Sequence, residues 1–298
     1  MNTRKYYDRL LIIAGMFVAC FVLTLICAPL LVSLCNINAE SRAGMLLLSV
    51  FQGLVMFIAP SLLSARFISA TPERFLLLDR IPRWQPILGL VFAYLIALPA
   101  LNQLIYWNNN ISFPEFMAGW GEMMREMEDK ANISATLMLD VSGWLPMLVN
   151  LMIIGLFTAF AEELFFRGTL QRAGASGGSP HTAIWLVAFL FSALHFQIFG
   201  FVPRLLLGAW FGYLLFWTRS IYVPVCAHFL NNGLVVVCSW LTARGVDFNF
   251  EMFGVSEYGF PVAAFISALA TVVFLYYFRT FFFKPNIRAE EKNQLVGV

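Results

Sequence analysis

Apolar stretches of about 20 residues recur along the chain, at roughly 10–34, 44–68, 86–107, 144–172, 181–199, 203–219, 221–241 and 260–283. A helix of that length rises about 30 Å, which matches the hydrocarbon thickness of a bilayer. Lipid offers no hydrogen bonds, so a spanning segment must satisfy its backbone internally, as a helix or in a closed barrel. Runs this long fit helices. The expected fold is therefore all-α: a polytopic membrane helix bundle of about eight transmembrane helices, forming one membrane domain over residues 1–298. Only 12% of residues are charged and mean hydropathy is +0.77, against roughly 25% charged in soluble domains. A separate soluble domain is not expected.

The run from Leu10 to about Leu34 follows Arg4, Lys5 and Arg9. It is too long for a signal-peptide core and reads as a retained first span. With the N-terminus inside, fourteen of the 19 Lys and Arg residues fall in inside segments. Arg42, Arg125, Lys130, Arg204 and Arg244 remain outside. This bias puts both termini in the cytoplasm, and the short termini, without a retrieval signal, favour a bacterial inner membrane. The basic residues are scattered and the net charge is only +2, so no nucleic-acid partner is expected. The cysteines (Cys20, Cys27, Cys35, Cys226, Cys238) lie mostly in apolar runs without a Cys-x-x-Cys, and read as buried hydrophobes.

The longest loop, 108–142, is expected outside. Phe116, Met117, Trp120, Met123, Met124 and Met127 recur there at helical spacing among acidic residues, as in an amphipathic surface helix. A solvated acidic linker helix gives the same pattern. Trp84, Trp107, Trp217 and Trp240 fall near span ends, as interfacial anchors do. Gly208-x-x-x-Gly212 suits close helix packing. Asn150 and Thr158 share a face with Glu162 and fit either a cavity lining or a helix contact.

Against this apolar background, Glu162, Glu163 and Arg167 need an explanation. An ionisable group inside a span costs about 2.5–3.5 kcal/mol on insertion scales, which makes a carboxylate pair a functional candidate. Glu163 and Arg167 are four apart and can pair. Glu162 is rotated by about 100° and points elsewhere. His195 lies in the fifth apolar run. His228 and Asn232 are also four apart, on one face of the seventh. His181 follows the Pro180 turn and reads as interfacial.

Glu162-Glu163-x-x-x-Arg167, Phe191-x-x-x-His195 and His228-x-x-x-Asn232, in that order on three membrane helices, resemble the motifs of the CAAX protease and bacteriocin-processing (CPBP or ABI) family. That family includes the type II CAAX prenyl endopeptidases, and the resemblance covers the core region 144–241. It implies an intramembrane endopeptidase acting on a C-terminal region of a protein or peptide. In that scheme Glu162 and His195 activate a water, and His228 and Asn232 stabilise the oxyanion. Glu163 with Arg167 would be structural or would bind the substrate carboxylate. The expected partners are a peptide or protein substrate and membrane lipids; the oligomeric state is left open.

No cofactor is favoured. A zinc version would use Glu162, His195 and His228 as ligands, although no His-Glu-x-x-His is present. Two other classes remain: a non-catalytic peptide-binding scaffold such as a bacteriocin self-immunity protein, and an ion-coupled transporter. One tension also stands. Counted along straight helices from the cytoplasmic surface, His195 lies about 22 Å deep and His228 about 6 Å.

Overall fold

The computed structural model describes residues 3–82, 84–247 and 249–282. All regular secondary structure among them is helical. Of the basic residues used for orientation, Arg83, Lys284, Arg288 and Lys292 lie outside the described residues. The long helices are α1 (Thr3–Leu34), α2 (Arg42–Ile68), α3 (Trp84–Asn109), α4 (Ala118–Leu139), α5 (Trp144–Ala175), α6 (Pro180–Ala193), α7 (Phe201–Thr218), α8 (Tyr222–Ala243) and α9 (Val262–Phe282). Seven are long and apolar enough to cross a membrane, whereas α6 has only 14 residues. The fifth expected span is thus a short helix of about 21 Å. It is followed by a turn at 194–197 and a 3₁₀ turn, Ile198–Gly200.

Four helices form the centre. α6 runs antiparallel to α5, with Ala183 beside Gly174 and Phe191 beside Arg167. α7 runs parallel to α5, because Arg167 and Gln171 donate to the carbonyls of Gly208 and Gly212, each at 3.0 Å. α8 returns antiparallel, with Glu163 against His228 and Ile154 against Asn232. The α1–α2 pair packs on one flank of this group and the α3–α9 pair on the other.

The glycines of the Gly208-x-x-x-Gly212 pair permit more than close packing. A Cβ at Gly212 would lie 2.8 Å from both Gln171 Oε1 and Ile184 Cγ2. The missing side chains therefore open those carbonyls to α5.

Two irregularities set the register. α5 contains π turns at Leu151–Phe157 and Leu164–Gln171, on either side of Glu162-Glu163. Each widened turn leaves a carbonyl that a threonine satisfies five residues on: Thr158 donates to Ile153 O and Thr169 to Leu164 O, both at 3.0 Å. π turns often mark functional sites.

The second irregularity is the α2–α3 connection. Phe75, Leu76 and Leu77 are buried, with Leu77 in the left-handed region at φ 57°. The α7–α8 junction sits on this segment. Tyr222 Oη donates to Leu78 O at 2.9 Å and Ser220 Oγ to Arg80 O at 2.6 Å. From α5, Arg172 donates to the carbonyls of Arg74 and Phe75. Irregular backbone at membrane depth is stable when protein groups satisfy it in this way.

At the other end, α4 lies across α2, α8 and the Ile198–Gly200 turn. Arg42 fastens it by donating to Met138 O, Pro146 O and Asn150 Oδ1.

Candidate functional site

The tension in depth disappears once these registers are included. Counted from the α5–α6 connection, Glu162 lies about 20 Å along α5, and His195, expected on a helix but found in the turn just past the end of α6, lies about 22 Å along the same direction. The start of α8 is lifted by the 75–80 segment, whose Phe75, Leu76 and Leu77 are buried, so Ile221 sits beside Gly168, with its Cδ1 3.6 Å from where a Cβ on that glycine would be. From that level His228 is about 10 Å along α8 and Glu163 about 8 Å back along α5. Both reach the same layer as Glu162.

Glu163 is the hub. Its Oε1 accepts from Arg167 Nη1 at 3.0 Å and from His228 Nδ1 at 2.9 Å, and its side chain has no solvent exposure. Arg167 is equally buried. Its guanidinium lies 4.5 Å from the Phe191 ring centre, 5.5 Å from Phe211 and 5.8 Å from Phe166. A cation over aromatic faces gains electrostatically when it is desolvated. Both terminal nitrogens of Arg167 are engaged, Nη1 by Glu163 and Nη2 by Gly208 O. Of the two roles open for this pair, the geometry favours the structural one.

A carboxylate oxygen only accepts, so Nδ1 of His228 carries the proton and Nε2 points away from Glu163. That Nε2 is 3.9 Å from Glu162 Oε2, too long for a hydrogen bond. The ring is fixed by Phe211 stacked at 5.1 Å and by Phe191 edge-on at 5.9 Å. Glu162 keeps 13% of its side chain exposed. Of the two neighbouring carboxylates, it is the one that faces accessible space.

His195 joins through Phe191, one turn earlier on α6. The two rings are 5.1 Å apart, and His195 Nδ1 donates to Phe191 O at 2.7 Å. Its Nε2 is therefore also the unprotonated nitrogen of the neutral ring. The structure brings Glu162, Glu163, Arg167 and His228 into direct contact and holds His195 across the Phe191 ring. Asn232, one turn beyond His228, donates to Ile154 O at 3.2 Å and accepts from Asn231 at 3.1 Å. Asn231 in turn accepts from Tyr94 Oη at 3.0 Å.

Sequence reasoning missed three participants. Tyr94 and Asn231 anchor Asn232, and only the adjacency of Asn231 to Asn232 was visible. Arg204, counted as an outer loop residue, is half-buried in the first turn of α7 with Nη2 2.9 Å from Gln197 Oε1. Its charge acts on both Glu162 and His195. Asn150 bonds Arg42 and Met138 O, which makes it a helix contact.

The donor set bears directly on zinc chemistry. Both imidazole Nε2 atoms are of the right type, yet among the described residues no three His, Cys, Asp or Glu side chains converge as metal ligands.

Comparison with known proteins places this geometry in a wider group. Residues 143–234 match the family model described as type II CAAX prenyl endopeptidase Rce1-like. The chain is also 32% identical over 89 residues to the uncharacterized protein YpbD of Bacillus subtilis (strain 168). That match covers 28% of this chain and 43% of the relative, so the chain spans less than half of the relative's length. No solved structure matches. The matched segment runs from the start of α5 to the first half of α8 and holds Glu162, Glu163, Arg167, His195, His228 and Asn232, and through it the chain resembles the Rce1-like CAAX protease family, as its three motifs imply.

Proposed function

We propose that this protein is an intramembrane endopeptidase that hydrolyses a peptide bond with a water activated by Glu162. The observation that carries the proposal is the placement of His228 between two carboxylates, with Nδ1 held at 2.9 Å by buried Glu163 and Nε2 3.9 Å from partly exposed Glu162. One carboxylate orients the imidazole, and the other is left with room for a water beside it.

Water bound between Glu162 and His195 Nε2 attacks the scissile carbonyl carbon, and Glu162 takes the proton. The carbonyl oxygen becomes an oxyanion, which His228, when protonated on Nε2 as well, and the Asn232 amide can meet as donors. Collapse breaks the C–N bond, and the proton held by Glu162 passes to the leaving amine. Removing one such oxyanion donor typically costs about 2.7–4 kcal/mol of transition-state stabilisation. The Asn232 amide would have to leave Ile154 O to act directly; otherwise it serves to orient α8.

The substrate is a C-terminal region of a protein or peptide. Arg204, on the accessible side, is the cation placed to meet its carboxylate, since buried Arg167 is already engaged. The orientation with both termini in the cytoplasm, in a bacterial inner membrane, belongs to the same proposal.

Purified protein should cleave a peptide of the kind the matched family's description names, a prenylated Cys-aliphatic-aliphatic-X sequence, or else a peptide that accumulates in membranes when Glu162 is replaced. Glu162→Ala and His195→Ala should abolish cleavage while the protein still folds in detergent; full activity in either variant would sink the mechanism. Loss of activity with a chelator, restored by zinc, would instead assign Glu162, His195 and His228 as metal ligands. Undiminished peptide binding and biological protection by Glu162→Ala would favour the scaffold.

A further inference from the structure

A chain of three side chains runs from α3 through α8 to the first π turn of α5. Tyr94 Oη of α3 donates to Asn231 Oδ1 at 3.0 Å, Asn231 Nδ2 donates to Asn232 Oδ1 at 3.1 Å, and Asn232 Nδ2 donates to Ile154 O at 3.2 Å. Ile154 belongs to the widened stretch Leu151–Phe157. The direction of the chain is forced. A backbone carbonyl only accepts, so the end of Asn232 that faces Ile154 is its nitrogen. Its oxygen is then turned to Asn231, which must present its own nitrogen there. That leaves Asn231 Oδ1 for Tyr94, whose hydroxyl is the donor that closes the chain.

The ring that carries this hydroxyl is itself fixed. Tyr94 is buried and lies parallel to Trp210 of α7, with 8° between the ring planes and 6.1 Å between their centres. α7 is the helix whose Gly208 and Gly212 carbonyls receive Arg167 and Gln171 of α5, so the hydroxyl is held in register with the helix that bears Glu162. A carboxamide turned end for end has nearly the same shape and the opposite polarity. Without the hydroxyl, nothing on α3 distinguishes the two ends of Asn231. Turned round, Asn231 would set oxygen against Asn232 Oδ1 and favour the reversed Asn232, with an acceptor towards α5 where an oxyanion needs a donor.

We propose that Tyr94 is a positioning residue for the hydrolysis: its hydroxyl, acting through Asn231, sets which end of the Asn232 carboxamide faces α5 and so keeps a donor there for the oxyanion. Tyr94 touches no substrate in this scheme. The inference rests on the proteolytic reading and adds to it a residue of α3, outside the segment 143–234 that carries the family match.

The test measures kcat, KM and melting temperature of the full chain in detergent for the wild type, Tyr94→Phe, Asn232→Ala and the double variant. The substrate is a prenylated Cys-aliphatic-aliphatic-X peptide, or the membrane peptide that accumulates when Glu162 is replaced. Tyr94→Phe should lower kcat about tenfold, the worth of one hydrogen bond. KM and melting temperature should stay nearly unchanged, because the ring and its stack on Trp210 remain. In the Asn232→Ala background, where His228 is still present as a donor, the same substitution should cost nothing further, since the group it acts through is gone. A purely structural role would instead lower the melting temperature and act equally in both backgrounds. Full kcat in Tyr94→Phe, or an equal loss in the Asn232→Ala background, overturns the proposal and leaves the protease reading to Glu162→Ala. Cleavage of neither peptide by the wild type removes that reading and this inference with it. If Tyr94→Phe fails to fold, Asn231→Ala, which breaks the chain at its middle, takes its place.

Discussion

Glu162 and Glu163 are chemically identical neighbours, yet the helix turns them into different environments. Glu163 points inward, where Arg167 and His228 neutralise and bond it; Glu162 points to the side that retains exposure. Removing one partner of a buried ion pair leaves an unpaired charge and costs about 3–5 kcal/mol. Glu163→Ala should therefore lower thermal stability sharply, as measured by unfolding in detergent. Glu162→Ala should leave the melting temperature nearly unchanged and cut peptide cleavage by at least about 10²–10⁴-fold, the usual worth of a positioned general base. The reverse pattern would exchange the two roles. The Glu163–Arg167 pair was legible in the sequence because four residues bring side chains onto one helix face. The bond from Glu163 to His228 was not, since it depends on how far α8 is raised against α5. Arg204 offers a kinetic test of the proposed substrate end: Arg204→Gln should raise KM about tenfold, the signature of lost uniform binding, and any change in kcat beside it reports the charge that Arg204 also brings to Glu162 and His195.

At the level of elements, the positions of the apolar runs were readable and their depths were not. Straight-helix counting assumes that every helix begins at the same surface. The buried segment around Leu76 breaks that assumption for α8, and nothing in its composition distinguishes it from an ordinary connection. The π turns of α5 were invisible for a similar reason, since Thr158 and Thr169 look like any helical threonines until the i–5 carbonyls they bond are known. The Gly208-x-x-x-Gly212 pair was readable as a close-packing site, but its partner helix was not. α5 presents Arg167 and Gln171 to the glycine carbonyls at the same four-residue interval. A valine at Gly212 would drive its Cβ into Gln171 Oε1 and Ile184, each 2.8 Å away. Overpacking of this kind costs about 1–3 kcal/mol. Gly212→Val should lower the melting temperature and, by shifting α7 from α5, weaken the hold on Arg167. Equal stability and activity in that variant would show that the two helices are not fixed by these contacts.

For the whole molecule, the short helix α6 raises a question of parity. Seven long apolar helices taken as seven crossings would put the termini on opposite sides. The arrangement of α6 and α7 gives a different result. They form an antiparallel hairpin, with Ala188 against Gly208 and Ile184 against Gly212, so α7 ends on the side where α6 began whatever depth the tip reaches. The α7–α8 junction confirms that level, because Ile221 packs beside Gly168 near the end of α5 from which α6 starts. The hairpin therefore adds either no crossing or two, and α1, α2, α3, α5, α8 and α9 supply the rest in even number. With all six crossing, both termini lie on one side, and the orientation proposed above, from the excess of Arg and Lys in those segments, makes that side the cytoplasm. A fluorescent protein that folds only in the cytoplasm should accordingly fluoresce when fused to either end, and alkaline phosphatase should be inactive at both. The same phosphatase inserted in the loop before α4, near Asn110, should be active. Activity at the C-terminus with inactivity at the N-terminus would mean that one of the six long helices outside the hairpin does not span.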